Sequence, residues 1–187
     1  MEYVDPIRDI NKILAIKKNL RNQSSRDLLL FVLGINTGIR VHDLLSLKVC
    51  DVWDGTCEKE FLYISDEKGE EKKGFYINNQ VKIALENYLA NSKLHDCDYL
   101  FKSKKNNLPI TRQQAYRIIN QAAKEVGING KIGTHTLRKT FGYHAYRKGI
   151  AISILMSIYN HHTPAETLRY IGIEKNEKQL IKVDVNL

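Results

Sequence analysis

The stretch LLLFVLGINTGIRVHDLLSL, residues 28–47, contains the clearest structural signals in the chain. Residues 28–35 are apolar almost all round, which predicts a helix buried in the core. The turn at Gly38 ends this helix, because glycine readily adopts the left-handed conformation of a C-terminal cap. A second, short helix is predicted from Arg40 to Leu47. A charged side chain, that of Arg40, therefore stands where the chain turns back towards the core.

Helical patterns occur on both sides of this stretch, and one hairpin interrupts them. Apolar spacing and capping signals predict helices at 5–20, 80–91, 111–126, 134–148, 151–159 and from 163 onwards, with Thr111, Thr134 and Thr163 as N-caps. Residues 61–65 and 74–77 are strand-like, and the polar residues between them predict a β-hairpin with a charged tip. We therefore expect a mainly α fold with a small antiparallel β-hairpin, in the α+β class.

Length and composition indicate one domain with a positive charge. The 187 residues suit a single domain, 1–187, and 29 Lys and Arg against 21 Asp and Glu give a net charge of +8. This excess favours a polyanionic partner, most commonly nucleic acid. The three widely spaced cysteines, without a CxxC pair, argue against a disulfide framework and a zinc site. No apolar run approaches about 20 residues and the N-terminus lacks an apolar core, so we expect a cytoplasmic protein without a membrane partner.

The segment GTHTLRKT, residues 133–140, has the features of an anion site. If it opens a helix, His135 and Arg138 lie on one face within the first turn. A phosphate there would meet a guanidinium, an imidazole and the positive end of the helix dipole together. The alternative is a solvated basic turn in which His135 merely caps the helix. For Arg40, the corresponding alternative is an ordinary helix start that Asp43 holds by a salt bridge.

The segment NHHTPAETLRYIGI, residues 160–173, contains a candidate nucleophile, Tyr170. A phenol acts as a nucleophile when cationic neighbours favour loss of its proton. His161 lies nine residues earlier, in the loop before the predicted helix of Tyr170. The alternative for Tyr170 is a half-buried core residue with its hydroxyl at the surface. Adjacent histidines also suggest a metal, but no third ligand has a recognisable spacing and HEXXH is absent, so we expect no metal.

Four segments in this order resemble the catalytic domain of the tyrosine recombinase, or phage integrase, family. They are TGIRVHDLLSL, DEKGEEKKGFYIN, THTLRKTFG and NHHTPAETLRYIGI, and the resemblance covers about residues 25–173. It implies the tyrosine recombinase (DNA breaking-rejoining) catalytic fold. It also implies site-specific recombination that needs no metal, cofactor or ATP. The alternative function is a DNA-binding accessory protein that keeps this fold but does not recombine.

The resemblance implies roles for six residues. Tyr170 would attack the scissile phosphate and form a 3′-phosphotyrosyl link. Arg40 and Arg138 would clamp the nonbridging oxygens of that phosphate. His135 would support this clamp and assist proton transfer, and His161 would bond the phosphate and help to position the nucleophile.

A hairpin lysine would protonate the leaving 5′-oxygen in the same scheme. The assignment goes to Lys68, because it precedes Gly69 where family members have Lys-Thr-Gly. Lys72 and Lys73 remain rivals. Further contacts with DNA phosphates are expected from the following basic residues: Lys72, Lys73, Arg112, Arg117 and Lys139.

The resemblance also implies partners and a departure from larger family members. Double-stranded DNA is the expected partner, bound by a homo-oligomer that forms a tetrameric synapse. Larger members have an N-terminal core-binding domain, whereas only residues 1–24, predicted as a helical extension, precede the catalytic fold here. An accessory DNA-binding protein is therefore a further possible partner. Residues 174–187 are expected to form a tail that packs on a neighbouring subunit, with 182–187 alternating like an edge strand.

Overall fold

Helices form most of the computed structural model, which describes residues 4–65 and 72–173. Within these residues one two-stranded sheet accompanies the helices. In chain order the elements are α1 (Ile10–Gln23), α2 (Ser25–Thr37), α3 (Val41–Ser46), α4 (Val49–Val52), β1 (Phe61–Ser65), β2 (Lys72–Tyr76), α5 (Asn79–Ala90), α6 (Arg112–Glu125), α7 (Thr134–Arg147), α8 (Ile152–Tyr159) and α9 (Pro164–Ile171). This mainly α fold with a small antiparallel hairpin confirms the predicted class.

Helix α2 is the centre of the core, as its apolar sequence predicts. Every residue from Leu28 to Gly34 is buried. Gly38 ends the helix in the left-handed conformation, with φ of 66°, and its N–H donates to the Gly34 carbonyl. A Cβ on Gly34 would lie 2.6 Å from a methyl group of Leu137, so this glycine permits α2 and α7 to pack closely. The core thereby fixes the turn after α2 against α7.

The hairpin pairs β1 with β2 in antiparallel register, from Phe61 opposite Tyr76 to Ser65 opposite Lys72. Leu62 on β1 is fully buried, whereas the neighbouring aromatic side chains of Phe61, Tyr63 and Tyr76 are exposed. β2 begins at Lys72, two residues before the predicted start, because the strand pairing extends to the end of β1. The hairpin tip, which contains Lys68, lies outside the described residues, and so does the tail 174–187.

The N-terminal segment differs from its prediction. Residues 5–9 are not helical, and α1 begins at Ile10 because the Asp9 side chain caps the helix by accepting from the Asn11 N–H at 2.8 Å. The Ile7 N–H donates instead to the Thr140 hydroxyl on α7 at 2.9 Å. Residues 4–9 therefore form an extended strap against the helices that carry the candidate site.

One further local prediction was wrong, and one short helix was not predicted. Thr134 does not cap α7 but is its first residue, and Gly133 precedes it with a backbone N–H that donates to the Thr136 hydroxyl at 3.1 Å. Helix α4 was not predicted, because its four residues are too few to show a periodic pattern.

The described helices belong to two hydrophobic clusters. The large cluster contains buried residues of α1, α2, α5, α6 and α7, whereas a small cluster of Leu155, Tyr159 and Ile171 joins α8 and α9 to the far face of α7. Among residues 4–65 and 72–173, no helix combines the length and apolar character that crossing a membrane requires.

Candidate active site

An open groove of about 890 Å³ brings five of the predicted site residues together. Its lining includes Arg40, His135, Arg138, His161 and Tyr170. They come from the turn before α3, from the start of α7, from the loop before α9 and from α9 itself. Segments that are distant in the sequence thus supply two guanidiniums, two imidazoles and a phenol to one wall. The sixth predicted residue, Lys68, lies outside the described residues.

Arg138 is the most buried guanidinium of the groove, with 8% of its surface exposed. Its guanidinium donates from Nη1 to the Gly38 carbonyl and from Nη2 to the Ile158 carbonyl, the latter at 3.0 Å. No carboxylate within the described residues pairs with it. Burial lowers the pKa of Arg138, and the positive charge of Arg40 lowers it further, while the phenols of Tyr170 and Tyr159 act in the opposite direction. The groove therefore holds a fixed positive charge that an anion would neutralise.

Tyr170 is half-buried on the last turn of α9, beside the guanidinium of Arg138. Burial raises the pKa of the Tyr170 phenol. The charge of Arg138, its hydrogen bond and the charge of Arg40 oppose that effect. The ammonium of Lys139 lies 5.3 Å from the centre of the phenol ring. A phenolate would thus form among cations, which is the condition that a tyrosine nucleophile needs.

His161 sits against the ring of Tyr170, with the two ring centres 5.1 Å apart in an edge-to-face arrangement. Its Nδ1 lies 3.1 Å from the Thr167 hydroxyl, and that hydroxyl donates to the Thr163 carbonyl. Nδ1 is therefore the donor, which leaves Nε2 as an acceptor in the neutral ring. Burial is the main cause that lowers the pKa of His161, so the neutral imidazole is favoured.

The α9 N-terminus is formed largely as its capping signals predict. Thr163 caps the helix, with its hydroxyl accepting from the Glu166 N–H at 3.2 Å. The Glu166 carboxylate, however, accepts from the His162 N–H at 3.1 Å and not from the cap residue itself. In this position, the Glu166 carboxylate lies 4.0 Å from Nε2 of His161.

His135 contacts a residue that the sequence did not connect with it. Nη2 of Arg112, at the start of α6, lies 3.2 Å from Nε2 of His135. Because a guanidinium only donates, Nε2 is the acceptor and the proton of the neutral ring is on Nδ1. Burial lowers the pKa of His135, and Arg112, Lys139 and Arg138 lower it further by their charge. The groove thus also contains Arg112, a third guanidinium that was predicted only as a DNA contact.

A second, smaller hollow of about 50 Å³ adjoins the groove beneath the hairpin. Arg40, Asp43, Arg138 and Lys73 are part of its lining. The Lys73 ammonium donates to the Ser157 carbonyl at 2.7 Å and also to the side-chain oxygen of Asn160. The base of the hairpin is therefore fastened to the end of α8, immediately before His161.

The remaining predicted DNA contacts fall into two groups. Arg112, Arg117 and Lys72 are exposed on α6 and at the hairpin base. Lys139, by contrast, is buried with 6% of its surface exposed, and its ammonium donates to the Val4 carbonyl of the strap at 2.8 Å. Lys139 is thus part of the groove wall beside Tyr170 rather than of an outward surface.

Sequence reasoning also missed Tyr159, the last residue of α8. Its ring lies 4.5 Å from the guanidinium carbon of Arg138, and its hydroxyl donates to the Arg138 carbonyl at 2.9 Å. The pattern of residues 151–159 indicates only an apolar helix, so no local signal distinguishes this tyrosine from a core residue. In the residues that the structure describes, no three His, Cys, Asp or Glu side chains cluster in a way that would hold a metal.

Comparisons with known proteins identify a family and several similar proteins. The phage integrase family matches residues 7–177. The protein of Bacillus subtilis (strain 168) named "Probable integrase/recombinase YoeC" is 42% identical over 176 residues, which cover 94% of this chain and 93% of that protein. A tyrosine recombinase of Pseudothermotoga lettingae is 30% identical over 170 residues, which cover 91% of this chain and 56% of that protein. The chain thus spans nearly all of the first relative and about half of the second.

Solved structures share the fold. The crystal structure of XerA recombinase superposes with a TM-score of 0.74 at 24% identity, over 94% of this chain and 61% of that one. A lambda integrase, solved as a dimer bound to a core site, superposes with a TM-score of 0.66 at 19% identity, over 99% of this chain and 65% of that one.

Proposed function

The chain belongs to the phage integrase family, and from that membership we propose that it cleaves and rejoins duplex DNA through a 3′-phosphotyrosyl link to Tyr170. One observation carries the proposal. Two guanidiniums, two imidazoles and a phenol from separate segments line one groove, and the most buried guanidinium has carbonyl and aromatic partners but no carboxylate within the described residues. Such a site is electrostatically incomplete until an anion such as a phosphodiester enters it.

In the proposed cleavage step, the Tyr170 oxygen attacks phosphorus and the bond from phosphorus to the 5′-oxygen breaks. Arg40 and Arg138 stabilise the charge that grows on the nonbridging oxygens. His135 supports this clamp and assists proton transfer, for which its neutral state is suited. His161 packs against the phenol and helps to position it. It bonds the phosphate once Nε2 has taken up a proton, which the negative charge of the phosphate favours. The ester keeps the phosphate activated, so that attack by a 5′-hydroxyl rejoins the strand without ATP or a metal.

We assign protonation of the leaving 5′-oxygen to Lys68. Of its two rivals, Lys73 has its ammonium engaged by the Ser157 carbonyl and by Asn160, so this ammonium has a structural use. Lys72, the preceding residue of β2, points to the other face of the strand, because successive side chains of a strand alternate. Lys68 lies in the sequence between β1 and β2, and no contact within the described residues argues against its assignment.

The wider partners follow from the same proposal. Arg112 in the groove, the exposed Arg117 and Lys72, and Lys73 at the hairpin base contact phosphates of the duplex in this proposal, while Lys139 acts from the groove wall. We propose that recombination in the cytoplasm joins four protomers on two duplexes. An accessory DNA-binding protein would supplement the grip of this chain on DNA. The second candidate, a non-recombining accessory protein, is less favoured because the groove contains so many of the residues that cleavage needs.

A covalent-trapping experiment tests the proposal. The protein is incubated, with EDTA present, with a randomised pool of nicked duplexes in which a short cleaved fragment diffuses away and prevents rejoining. We expect a protein–DNA adduct that resists denaturation, that Tyr170→Phe abolishes and that Tyr63→Phe, at an exposed tyrosine of β1, retains. An adduct in Tyr170→Phe would refute the assignment of the nucleophile. Non-covalent binding without any adduct would support the accessory protein. Cleavage without an adduct that occurs only when EDTA is left out would support a metal-dependent nuclease.

A further inference from the structure

Tyr159 is a buried aromatic residue that the cleavage scheme leaves without a role. It ends α8, and 4% of its surface is exposed. It belongs to the small hydrophobic cluster with Leu155 and Ile171. Unlike an ordinary core residue, it contacts three residues of the groove, namely Arg138, Tyr170 and His161.

The contacts with Arg138 involve both ends of that residue. The Tyr159 ring faces the guanidinium at 4.5 Å from its central carbon, a distance typical of a cation–π interaction. The Tyr159 hydroxyl donates to the backbone carbonyl of the same arginine at 2.9 Å. A Cβ on Gly142, one turn further along α7, would collide with this hydroxyl. The glycine therefore leaves the space that the hydroxyl occupies.

The same ring is also the surface against which two other side chains of the site rest. Its centre lies 5.1 Å from that of Tyr170 and 5.4 Å from that of His161, and all three rings are mutually tilted. Aromatic pairs at such separations have preferred orientations, so each ring restricts the others. One buried side chain thus touches the clamp, the proposed nucleophile and the histidine beside it.

We propose that Tyr159 is a positioning residue for strand cleavage. Its aromatic face holds the guanidinium of Arg138 in a fixed position beside the Tyr170 phenol. This role rests on the proposed function of the same site. The guanidinium has carbonyls on two sides, those of Gly38 and Ile158, and the ring supplies the third. Without the ring, the guanidinium would keep its charge but gain rotational freedom. Its misplacement costs cleavage rate more than affinity for a duplex, because many other phosphate contacts also hold a duplex.

The chemistry of Tyr159 separates it from the nucleophile. Burial raises its pKa far above the ordinary value for tyrosine, so the phenol stays protonated. Its proton is already committed to the Arg138 carbonyl. Tyr159 therefore supplies a neutral aromatic surface next to Tyr170 without competing with it for the phosphate.

The first test compares substitutions at one position. Tyr159→Leu removes the aromatic face and keeps an apolar side chain, while Tyr159→Phe keeps the face and removes the hydroxyl. The matched control is Tyr88→Leu, which makes the same change at a tyrosine of α5 that is equally buried and belongs to the main core. Tyr159→Met, whose flexible side chain fills the same space without a ring, replaces Tyr159→Leu if the latter does not fold.

Two quantities are measured with a nicked duplex recovered from the covalent-trapping pool. They are the single-turnover rate of adduct formation and the dissociation constant for that duplex. We expect Tyr159→Leu to slow adduct formation by about tenfold, in line with a desolvated cation–π contact, and to change the dissociation constant by less than about threefold. Tyr159→Phe should restore the rate to within about threefold of the native protein. A native rate in Tyr159→Leu, or a Tyr159→Phe variant as slow as Tyr159→Leu, would overturn the proposal. Equal slowing by Tyr88→Leu would do the same.

A second readout separates this proposal from the function on which it rests. Inorganic phosphate should raise the melting temperature of the native protein and of Tyr159→Phe, and should raise that of Tyr159→Leu less, because phosphate binding needs a correctly placed Arg138 but no cleavage. If the native protein forms no adduct while this difference remains, the recombinase function fails and the positioning of Arg138 stands. Equal phosphate responses in all three proteins would overturn the positioning role.

Discussion

Inorganic phosphate should stabilise the folded protein through Arg40 and Arg138. These two guanidiniums line one groove, and no carboxylate within the described residues neutralises Arg138. Desolvation of this cation opposes folding until an anion arrives, and the neighbouring charge of Arg40 adds to that cost. Phosphate binds the folded state alone, because the unfolded chain does not hold the two side chains together. Its binding energy is therefore added to the free energy of unfolding.

The size of this effect follows from the contacts available. Charge-assisted hydrogen bonds are worth about 1.5–3 kcal/mol each, and association entropy opposes them, so that two guanidiniums give about 4 kcal/mol of binding. That value corresponds to a dissociation constant of about 1 mM. At roughly 20 mM phosphate, the folded state gains about 1.8 kcal/mol. For a protein of this length, the melting temperature should rise by about 4–7 °C.

Calorimetry at constant ionic strength, with chloride replaced by phosphate, measures the rise. Phosphate also stabilises proteins in general, by exclusion from their surfaces, so variants are required. Arg138→Met should lose most of the rise, and Arg21→Met, at an exposed arginine in the last turn of α1, should keep it. An equal rise in Arg138→Met and the native protein would refute the view that the groove is a preformed phosphate receptor.

Three other predictions concern the hairpin, the imidazoles and the turn after α2. Lys68→Met should slow cleavage of an ordinary duplex by about 100-fold, but it should not slow cleavage of a duplex with sulfur in place of the bridging 5′-oxygen, because a thiolate leaves without protonation. Lys72→Met should slow neither substrate selectively. Equal slowing of both substrates by Lys68→Met would exclude Lys68 as the acid. His161 has a pKa lowered mainly by burial from the ordinary 6.5, so the unfolded state takes up more protons as the pH falls through that value. The urea midpoint should accordingly decrease between about pH 7.5 and pH 5.5, and His161→Gln should reduce this decrease; identical slopes would contradict it. Gly38→Ala places a methyl group at φ of +66° against an aromatic ring of α7, whereas Gly55→Ala adds one at φ of +105° with open space around it. Gly38→Ala should therefore cost about 1–3 kcal/mol more in urea denaturation than its control, and equal costs would show that the ring moves aside.

Much of the fold could be predicted because its signals are local. An all-apolar run followed by a glycine specifies α2 and its C-terminal cap, and the cap residues Thr111 and Thr163 mark where α6 and α9 begin. The prediction was wrong for residues 5–9, which belong to the strap and not to the first helix. Apolar spacing from Ile7 onwards fits a helix, but the Ile7 N–H finds its partner on α7, more than one hundred residues away. A hydrogen bond of that kind leaves no trace in local periodicity.

The candidate site shows the same division between local and distant information. His135 and Arg138 could be predicted as a pair because three residues on a helix place them on one face. Their partners could not be predicted, because Arg112 and Tyr159 reach them from α6 and α8. From the sequence, Arg112 is predicted only as a basic surface residue, and Tyr159 only as part of an apolar helix. Only tertiary packing assigns them to the groove.

The two hydrophobic clusters support the proposed clamp and the proposed nucleophile to different degrees. The Arg138 guanidinium contacts both clusters, because it donates to the Gly38 carbonyl, at a turn that the large cluster fixes, and to the Ile158 carbonyl of α8. Tyr170 is on α9, which packs on α7 and α8 through the small cluster, and the Arg8 guanidinium of the strap holds the end of α9 by donating to the Gly172 carbonyl at 2.7 Å. Few buried apolar contacts give a local unit a low opening free energy, so α9 can shift at less cost than the turn that holds Arg138. In the proposed reaction, the main core would thereby fix the Gly38 side of the Arg138 clamp, while the Tyr170 oxygen would approach the phosphate from a unit that can adjust when duplex DNA binds.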